Sequence, residues 1–296
     1  MTMVETVPAP TVSRGPSDLP AGACDTHSHV FGPFDRFPPL RPSVYALPDA
    51  SPPVHEAMRA RLGTRLGVLT QPAPYADDPS AMLHAIAGSN DALRAVAVAG
   101  PDIDDAILQR WRAGGIVGLR FTEMRAPGGD RYPGSEPFDS LITLAPRMRT
   151  IGMHAQLWAG APQFAQWLPR LLDLGIPLVL DHMGCPDPAR GIEAPEFRAI
   201  IDALDSGNVW VKLVLARVSR QTPDYEDARP LHDALIAAAP DRMLWGSDWP
   251  YVRLTPAPDA GHMLRLFHCW VPDEATRRKI LVQNPAHLYD FAGETP

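Results

Sequence analysis

Short apolar runs alternate with segments of helical period along most of the chain. The apolar runs predict strands at residues 22–30, 65–70, 93–99, 116–121, 153–158, 177–181, 209–215 and 242–247. The segments of helical period predict helices at residues 54–62, 78–87, 102–111, 138–150, 162–174, 194–204, 230–239, 259–269 and 273–281. Most of the strands are apolar on both faces, which is typical of a parallel sheet covered by helices.

This alternation predicts an α/β fold, a single-domain (β/α)8 TIM barrel that occupies residues 21–296. The alternative is an open doubly wound sheet, but no glycine-rich phosphate loop follows the first strand. Residues 1–20 are rich in proline and predict a flexible N-terminal arm. We also expect Asn284-Pro285 to break the last helical segment.

Composition limits the kinds of partner. The chain has 296 residues, of which 45% are hydrophobic and 21% charged, as in soluble globular proteins. No apolar run is long enough to span a membrane, and the N-terminus lacks the pattern of a signal peptide. The net charge of −7 argues against nucleic acid as a partner, and the three cysteines lack metal or redox spacing. We therefore expect a cytoplasmic protein without membrane or nucleic-acid partners, and leave a homo-oligomer open.

Polar residues stand where most of the predicted strands end, and in a barrel the active site lies at these ends. They are His27, His29, Thr70 or Gln71, Arg120, Gln156, Trp158, His182, Lys212 or Arg217, and Asp248. Each has a structural explanation when taken alone, such as a helix cap for Asp248 or a surface ion pair for an arginine. Their joint occurrence at strand ends instead predicts one catalytic site.

His27 and His29 are two residues apart, so on an extended strand their imidazoles point the same way. Asp25 is a candidate to orient one imidazole. With Asp248, the two histidines could hold one divalent metal and leave a coordination position open. His154 lies deeper in its strand, and we interpret it as a core histidine whose hydrogen bonds are satisfied.

Five segments together resemble the amidohydrolase superfamily. They are Asp25-Thr-His27-Ser-His29, Gly118-Leu-Arg120-Phe, Leu180-Asp-His182-Met-Gly, Trp245-Gly-Ser-Asp248-Trp-Pro and Asn284-Pro-Ala-His-Leu-Tyr. The similarity covers residues 22–291 and is greatest to the branch of the pyrone-dicarboxylate and sugar lactonases. It implies a (β/α)8 barrel that hydrolyses a small carboxylated lactone, in a branch that can work without a metal.

The resemblance also implies roles. Asp248 would activate water, and the histidines His27, His29 and His182 would donate hydrogen bonds to the carbonyl oxygen. Arg120 and Arg217 would hold substrate carboxylates, and Tyr45 would contact the substrate.

The chain departs from this branch at several positions. Cys185 replaces a carboxylate-binding arginine, Trp158 a tyrosine, and Arg253 a neutral amide, while Arg125 is a candidate second cation after the fourth strand. The cations are thus rearranged, so a lactone or ring ester acid other than the pyrone dicarboxylate is the expected substrate. Cys185 as a nucleophile lacks an activating signature.

Metal dependence is the open question. Metal-dependent relatives carry a lysine at the fourth strand or a histidine at the fifth. Here the fourth strand carries Arg120, and the fifth carries Gln156 or Trp158 nearest the mouth of the barrel. We therefore favour no cofactor, with one zinc or manganese ion on His27, His29 and Asp248 as the alternative. The alternative functions are a metal-dependent decarboxylase, a sugar-lactone isomerase and a non-catalytic binding protein.

Overall fold

Eight parallel strands form the centre of the computed structural model, which describes residues 6–126 and 128–291. They are β1 (Cys24–Ser28), β2 (Leu66–Thr70), β3 (Leu93–Ala97), β4 (Ile116–Thr122), β5 (His154–Trp158), β6 (Leu178–Leu180), β7 (Val209–Leu213) and β8 (Met243–Trp245). Each strand pairs with the next strand in the chain, from β1 to β8. This sequential order confirms the barrel, and the open doubly wound alternative is wrong.

Two hydrogen bonds join the first and last strands at and just beyond their carboxyl ends. The Asp248 amide donates to the His27 carbonyl at 2.7 Å, and the His29 amide donates to the Trp249 carbonyl at 2.9 Å. The residues that follow β1 and β8 are therefore held side by side, at the carboxyl end of the barrel.

A helix follows each barrel strand. The eight are α1 (Pro52–Leu62), α2 (Ser80–Ala87), α3 (Asp105–Ala113), α4 (Phe138–Thr150), α5 (Ala161–Leu171), α6 (Pro195–Leu204), α7 (Arg229–Ala238) and α8 (Ala260–Trp270). Short 3-10 turns lie at Ala73–Tyr75, Leu172–Leu174, His182–Gly184, Pro188–Arg190, Leu215–Arg217 and Pro240–Arg242. No helix among the described residues is both long and apolar enough to cross a membrane. The cytoplasmic location and the homo-oligomer stay predictions.

The chain after α8 remains helical to its described end. A π-helical turn, Lys279–Gln283, joins α9 (Glu274–Arg278) to α10 (Asn284–Tyr289). The predicted break at Asn284-Pro285 is therefore wrong. Pro285 lies in the first turn of α10, where a missing backbone N–H and a fixed φ are tolerated.

The interior of the barrel has an apolar lower end. Side chains of the barrel strands pack there in a cluster of their own, which Tyr289 and Phe291 join from the chain end. Its strand members are Cys24, Val68, Val96, Val117, Val179, Trp210 and Leu244. The His154 ring lies 5.3 Å from the Tyr289 ring, and a Cβ at Gly118 would come within 2.5 Å of it. This position confirms His154 as a core histidine. Neither of its ring nitrogens has a hydrogen-bond partner among the described residues, so the expectation that it is satisfied is wrong.

The N-terminal arm lies along the barrel wherever it is described. Residues Thr6–Pro8 pair in parallel with Leu47–Asp49, the segment before α1. Val12 is buried, and the Pro10 carbonyl accepts a 2.9 Å hydrogen bond from the Trp249 indole. The flexibility of residues 1–20 stays a prediction. Any movement of the arm away from the barrel would have to break the contacts of Thr6–Pro8, Pro10 and Val12.

Candidate active site

The ends of β1 and β8 bring two imidazoles to one carboxylate. Nε2 of His27 lies 3.6 Å and Nε2 of His29 lies 3.5 Å from Oδ1 of Asp248. All three residues are buried. Asp248 has a left-handed backbone, with φ of 61°, where the chain turns sharply after β8. The predicted grouping of His27, His29 and Asp248 is present.

Asp25 fixes the joint between these strands. Its carboxylate accepts hydrogen bonds from the Ser247 amide at 2.9 Å, the Ser247 hydroxyl at 2.6 Å and the His27 amide at 3.2 Å. Burial raises the pKa of Asp25 to about 6, although the bonds from Ser247 oppose the rise. Asp25 therefore holds backbone in place, and the expected contact with an imidazole is wrong.

The other ring nitrogens of the two histidines determine how they face Asp248. Nδ1 of His29 lies 2.7 Å from the Thr70 carbonyl, to which it can only donate. Nδ1 of His27 lies 3.1 Å from Oδ1 of Asp181. When the His29 ring is neutral, its Nε2 therefore presents a lone pair to Asp248. Both ring nitrogens of His27 face carboxylate oxygens, so its contacts do not fix which nitrogen carries the proton.

A charged network lies beneath this group. Oδ2 of Asp181 accepts from Arg120 Nε at 3.1 Å, Arg120 Nη2 at 2.9 Å and Gln156 Nε2 at 3.2 Å. Lys212 Nζ donates to Gln156 Oε1 at 2.7 Å and lies 3.9 Å from Asp181 Oδ1. Thr70 accepts from Gln156 across the barrel. Gln156 is thus buried beneath the cavity and does not line it.

Neighbouring charges determine the ionisation of this network. Burial would raise the pKa of Asp181, but His27, Arg120 and Lys212 outweigh it and hold that pKa well below the usual range. Burial lowers the pKa of Lys212 to about 8. Sequence reasoning assigned no role to Asp181. The alternation of side chains along β6 could have identified Asp181. It lies two residues after Val179, which faces the barrel interior, so Asp181 faces the same way.

Arg217 is the cation at Asp248. Its Nε lies 2.6 Å from Asp248 Oδ2, and its Nη2 donates to the Val252 carbonyl at 2.9 Å. Burial would raise the pKa of Asp248, but Arg217 and the histidines hold it well below its usual range. Asp248 is therefore a carboxylate at neutral pH.

A cavity opens above Asp248. Its polar lining comprises His29, Arg120, His182, Arg217, Asp248 and Arg253. Its aromatic lining comprises Phe31, Tyr45, Tyr132 and Trp158. Eight of the twelve predicted site residues therefore line one cavity, and His27 touches Asp248 at its floor. The sequence did not single out Phe31 or Tyr132, because nothing at either position distinguishes a lining aromatic from a core one.

His182 follows β6 in a turn with a φ of 52°. Its ring centroid lies 5.0 Å from that of His27 and 5.9 Å from that of Trp158. Burial lowers the pKa of His182 to about 4, so the ring is neutral near pH 7. A neutral imidazole that lines the cavity can donate one hydrogen bond to a bound carbonyl oxygen.

Besides His27 and Gln156, two further predicted residues do not line the cavity. Arg125 is exposed and makes an isolated backbone bridge to Arg131. Cys185 lines a separate cleft beside Arg217, and burial raises the pKa of its thiol to about 12. The thiol stays protonated near neutral pH, which disfavours a nucleophilic role.

The site has the donor set of a divalent metal centre. His27, His29 and Asp248 each offer one ligand atom, and these atoms lie within 4.8 Å of one another. Two imidazole nitrogens and one carboxylate oxygen are ligands that suit zinc or manganese. The guanidinium of Arg217 already supplies positive charge on the second Asp248 oxygen.

Comparison with known proteins agrees with this geometry. Residues 24–291 match the sequence profile of the family described as Amidohydrolase. A 4-sulfomuconolactone hydrolase of Hydrogenophaga intermedia is 31% identical over 276 residues, 92% of this chain and 89% of the relative. A 2-pyrone-4,6-dicarboxylate hydrolase of Comamonas testosteroni is 33% identical over 282 residues, 92% and 91% of the two chains.

A solved structure shares the fold. The "probable 2-pyrone-4,6-dicarboxylic acid hydrolase" of Acinetobacter baumannii, solved with citric acid bound, superposes with a TM-score of 0.78 at 26% identity. The match covers 91% of this chain and all of that one, 100%. With the profile spanning the barrel and two relatives above 30% identity, this chain belongs to the amidohydrolase family and is a hydrolase.

Proposed function

We propose that this enzyme hydrolyses the ester bond of a small carboxylated lactone, with Asp248 activating the attacking water. One observation carries the proposal. An ionised carboxylate, Asp248, lies at the floor of a cavity whose other charged lining residues are three arginines. Such a cavity attracts an anionic substrate and places a proton acceptor beside it. The names of the two relatives, both lactone hydrolases, support the same reaction.

The residues can divide the reaction as follows. Asp248 accepts a proton from water as the water oxygen bonds to the lactone carbonyl carbon. His182 donates a hydrogen bond to the carbonyl oxygen as that oxygen becomes an oxyanion. The ring C–O bond then breaks, and the leaving oxygen takes the proton from Asp248 to give the open-chain acid.

The arginines bind and orient. Arg217 is anchored by Asp248 and Val252, and Arg120 by Asp181, so both guanidinium groups are held before substrate arrives. Fixed guanidinium groups lose little freedom when they bind a carboxylate. Together they would hold the substrate carboxylate nearest the reacting carbonyl. Tyr45 and Trp158 would contact the flat faces of the ring.

His27, His29 and Asp248 would hold a divalent metal if one is bound. Such an ion would lower the pKa of a bound water and polarise the carbonyl. We favour the form without metal, in which Arg217 compensates the charge of the Asp248 carboxylate. The decarboxylase and isomerase alternatives use the same residues.

The first experiment measures the metal content of protein purified without added metal, together with lactone hydrolysis before and after chelation. We expect less than about a tenth of an equivalent of metal, and ring-opened acid as the product, formed equally after chelation. Near-stoichiometric zinc or manganese, lost together with activity, would overturn the metal-free mechanism. Release of carbon dioxide would identify a decarboxylase, and an isomeric lactone an isomerase.

A matched pair of variants tests the assignment of Asp248. Asp248→Asn should abolish hydrolysis, whereas Asp273→Asn, at the N-cap of α9 and not among the residues that line the cavity, should retain it. Retention of activity in Asp248→Asn would favour the non-catalytic binding protein or another base.

A further inference from the structure

A cleft opens between α1 and α2, away from the active site. Its volume is about 460 Å³, which suits a small organic ligand. His55 and Arg59 of α1 line it together with His84 of α2. None of its described lining residues also lines the cavity above Asp248. This α1–α2 cleft is therefore separate from the groups that carry out hydrolysis.

Arg59 is a buried cation without a carboxylate. Only three lysine or arginine side chains are buried in the described part of the chain. Two of them, Arg120 and Lys212, lie within 4 Å of the Asp181 carboxylate. The third, Arg59, is 7% exposed and forms no ion pair with any described residue. A buried charge without a counter-charge destabilises a fold, so its retention at Arg59 indicates a role in binding.

The hydrogen bonds of Arg59 leave part of its guanidinium group free. Nη1 donates to the Arg65 carbonyl, whereas Nε is buried and has no partner among the described residues. Burial lowers the pKa of Arg59, but an arginine remains protonated near neutral pH. A carboxylate is the group that best matches such a charged, forked donor.

The other lining residues indicate which kind of anion fits. Burial, helped by the charge of Arg59, lowers the pKa of His55 to about 3, so this ring adds no second positive charge. Glu56 is exposed and lines the cleft, where its carboxylate would repel a second negative charge. The apolar lining comprises Pro33, Pro52, Pro53, Ala85 and Leu93. One cation among apolar walls suits a monoanion with an apolar body.

We propose that the α1–α2 cleft binds a small monocarboxylate with a compact apolar body. The ligand carboxylate would accept hydrogen bonds from Arg59 and supply the counter-charge that the described chain lacks. The His84 ring can donate a further hydrogen bond, while the apolar body lies against Pro33 and Leu93. The site does not depend on lactone hydrolysis, because it shares no described lining residue with the active-site cavity.

The probe is 4-bromobenzoate, because anomalous diffraction locates its bromine. The wild-type enzyme would be crystallised with this acid. We expect a bromine peak in the α1–α2 cleft, with the carboxylate at Arg59. Since the active-site cavity contains arginines, the acid can also bind there, and a peak in the cleft supports the proposal with or without a second peak. A cleft without bromine would overturn the proposal, even if the active-site cavity were occupied.

Isothermal titration with 4-bromobenzoate measures the same binding in solution. Arg59→Met should weaken the cleft site at least about tenfold. Glu56→Gln should tighten it about 2–5-fold, because the variant removes a nearby negative charge. Arg198→Met, at an exposed position of α6 outside the cleft, is the matched control and should bind like wild type. Unchanged binding in Arg59→Met, or an equal loss in Arg198→Met, would contradict the proposal.

Urea denaturation separates loss of binding from loss of the fold. Arg59→Met replaces an uncompensated buried charge with an apolar side chain, so the midpoint of the ligand-free variant should equal or exceed that of wild type. Saturating 4-bromobenzoate should raise the midpoint of wild type more than that of the variant. A lower midpoint for the ligand-free variant would show that the fold itself needs the Arg59 charge. That result, or equal stabilisation of both proteins by the acid, would overturn the proposal.

Discussion

The two ends of the barrel interior differ in chemistry although the same strands build both. In β5, His154 lies at the apolar lower end, and Gln156, two residues later, belongs to the charged network. In β7, Trp210 packs below and Lys212 lies above it. Two residues along a strand therefore separate the apolar layer, which contributes only packing, from the charged layer that supports the active site.

This difference indicates where stability and activity reside. The lower layer contributes by burial of apolar surface and contains no residue that reaches the cavity. The network above it, formed by Arg120, Gln156, Asp181 and Lys212, holds His27 and the floor of the cavity. Substitutions at the cavity floor, in the network and at the lower end should therefore have different effects on catalysis and on the free energy of unfolding.

The largest effect is expected at the cavity floor. Asp248→Asn removes the proton acceptor, so kcat should fall about a thousandfold or more. Asparagine tolerates the left-handed backbone at this position, so the fold should persist. Steady-state kinetics and a circular dichroism spectrum would check both points, and a loss below about tenfold would sink the assignment of Asp248 as the base.

The next effect is expected in the network. Asp181→Asn leaves Arg120 and Lys212 buried without their carboxylate, so the free energy of unfolding should fall by about 3–5 kcal/mol. Denaturation in urea would measure it. Asp105→Asn removes an exposed ion pair with Arg147 and should cost less than about 1 kcal/mol. Equal costs for the two variants would mean that the network does not stabilise the barrel.

At the lower end, stability should change without activity. Leu244→Ala leaves a void in the apolar cluster and should cost about 2–5 kcal/mol of unfolding free energy, with kcat/KM within about twofold of wild type. Leu40→Ala, at a side chain that is 50% exposed, is the control and should be almost neutral. A tenfold loss of kcat/KM in Leu244→Ala would show that the two ends are coupled.

The smallest effect is a pH dependence at the lower end. Burial lowers the pKa of His154 to about 3, so the folded protein keeps this ring neutral while the unfolded chain takes up a proton below about pH 6.5. The contribution of His154 to stability is therefore present at neutral pH and is lost as the pH falls from about 6.5 toward 3. Between about pH 7 and pH 5 the loss should be about 2 kcal/mol.

His154→Gln removes this titration. The variant should lose about 2 kcal/mol less than wild type over the same pH interval, as read from urea midpoints at both pH values. Leu40→Ala, at a side chain that does not titrate and is 50% exposed, is the control and should keep the pH dependence of wild type. Parallel pH profiles for His154→Gln and wild type would show that His154 is not buried as a neutral ring.

The sequence predicted most of the fold because the barrel repeats one local pattern. The helix expected at residues 138–150 is Phe138–Thr150, and the strand expected at 177–181 is Leu178–Leu180. The break expected at Asn284 was wrong because a proline in a first turn does not stop a helix. Local propensity could not show that α9 and α10 are joined by a π-helical turn.

The site was predictable in its centre and not at its edges. His27, His29 and Asp248 could be placed together because the first and last strands of a barrel must meet. How deep the Gln156 side chain lies in the barrel depends on how far β5 is staggered along its neighbouring strands. The register of β1 against β2 also shifts, between Asp25 and Ser28. Cys185 lies beyond a turn with positive φ, so its direction does not follow from strand alternation.

The path of the arm has a practical consequence for anyone who handles this enzyme. The Pro10 carbonyl holds the indole of Trp249, the residue after Asp248, while Thr6–Pro8 pairs with Leu47–Asp49, two residues after Tyr45. Trimming the chain to residue 21, where the barrel begins, would release both sides of the cavity at once. An affinity tag is therefore better fused to the other end of the polypeptide, and a shortened variant that expresses well is no proof of an intact catalyst.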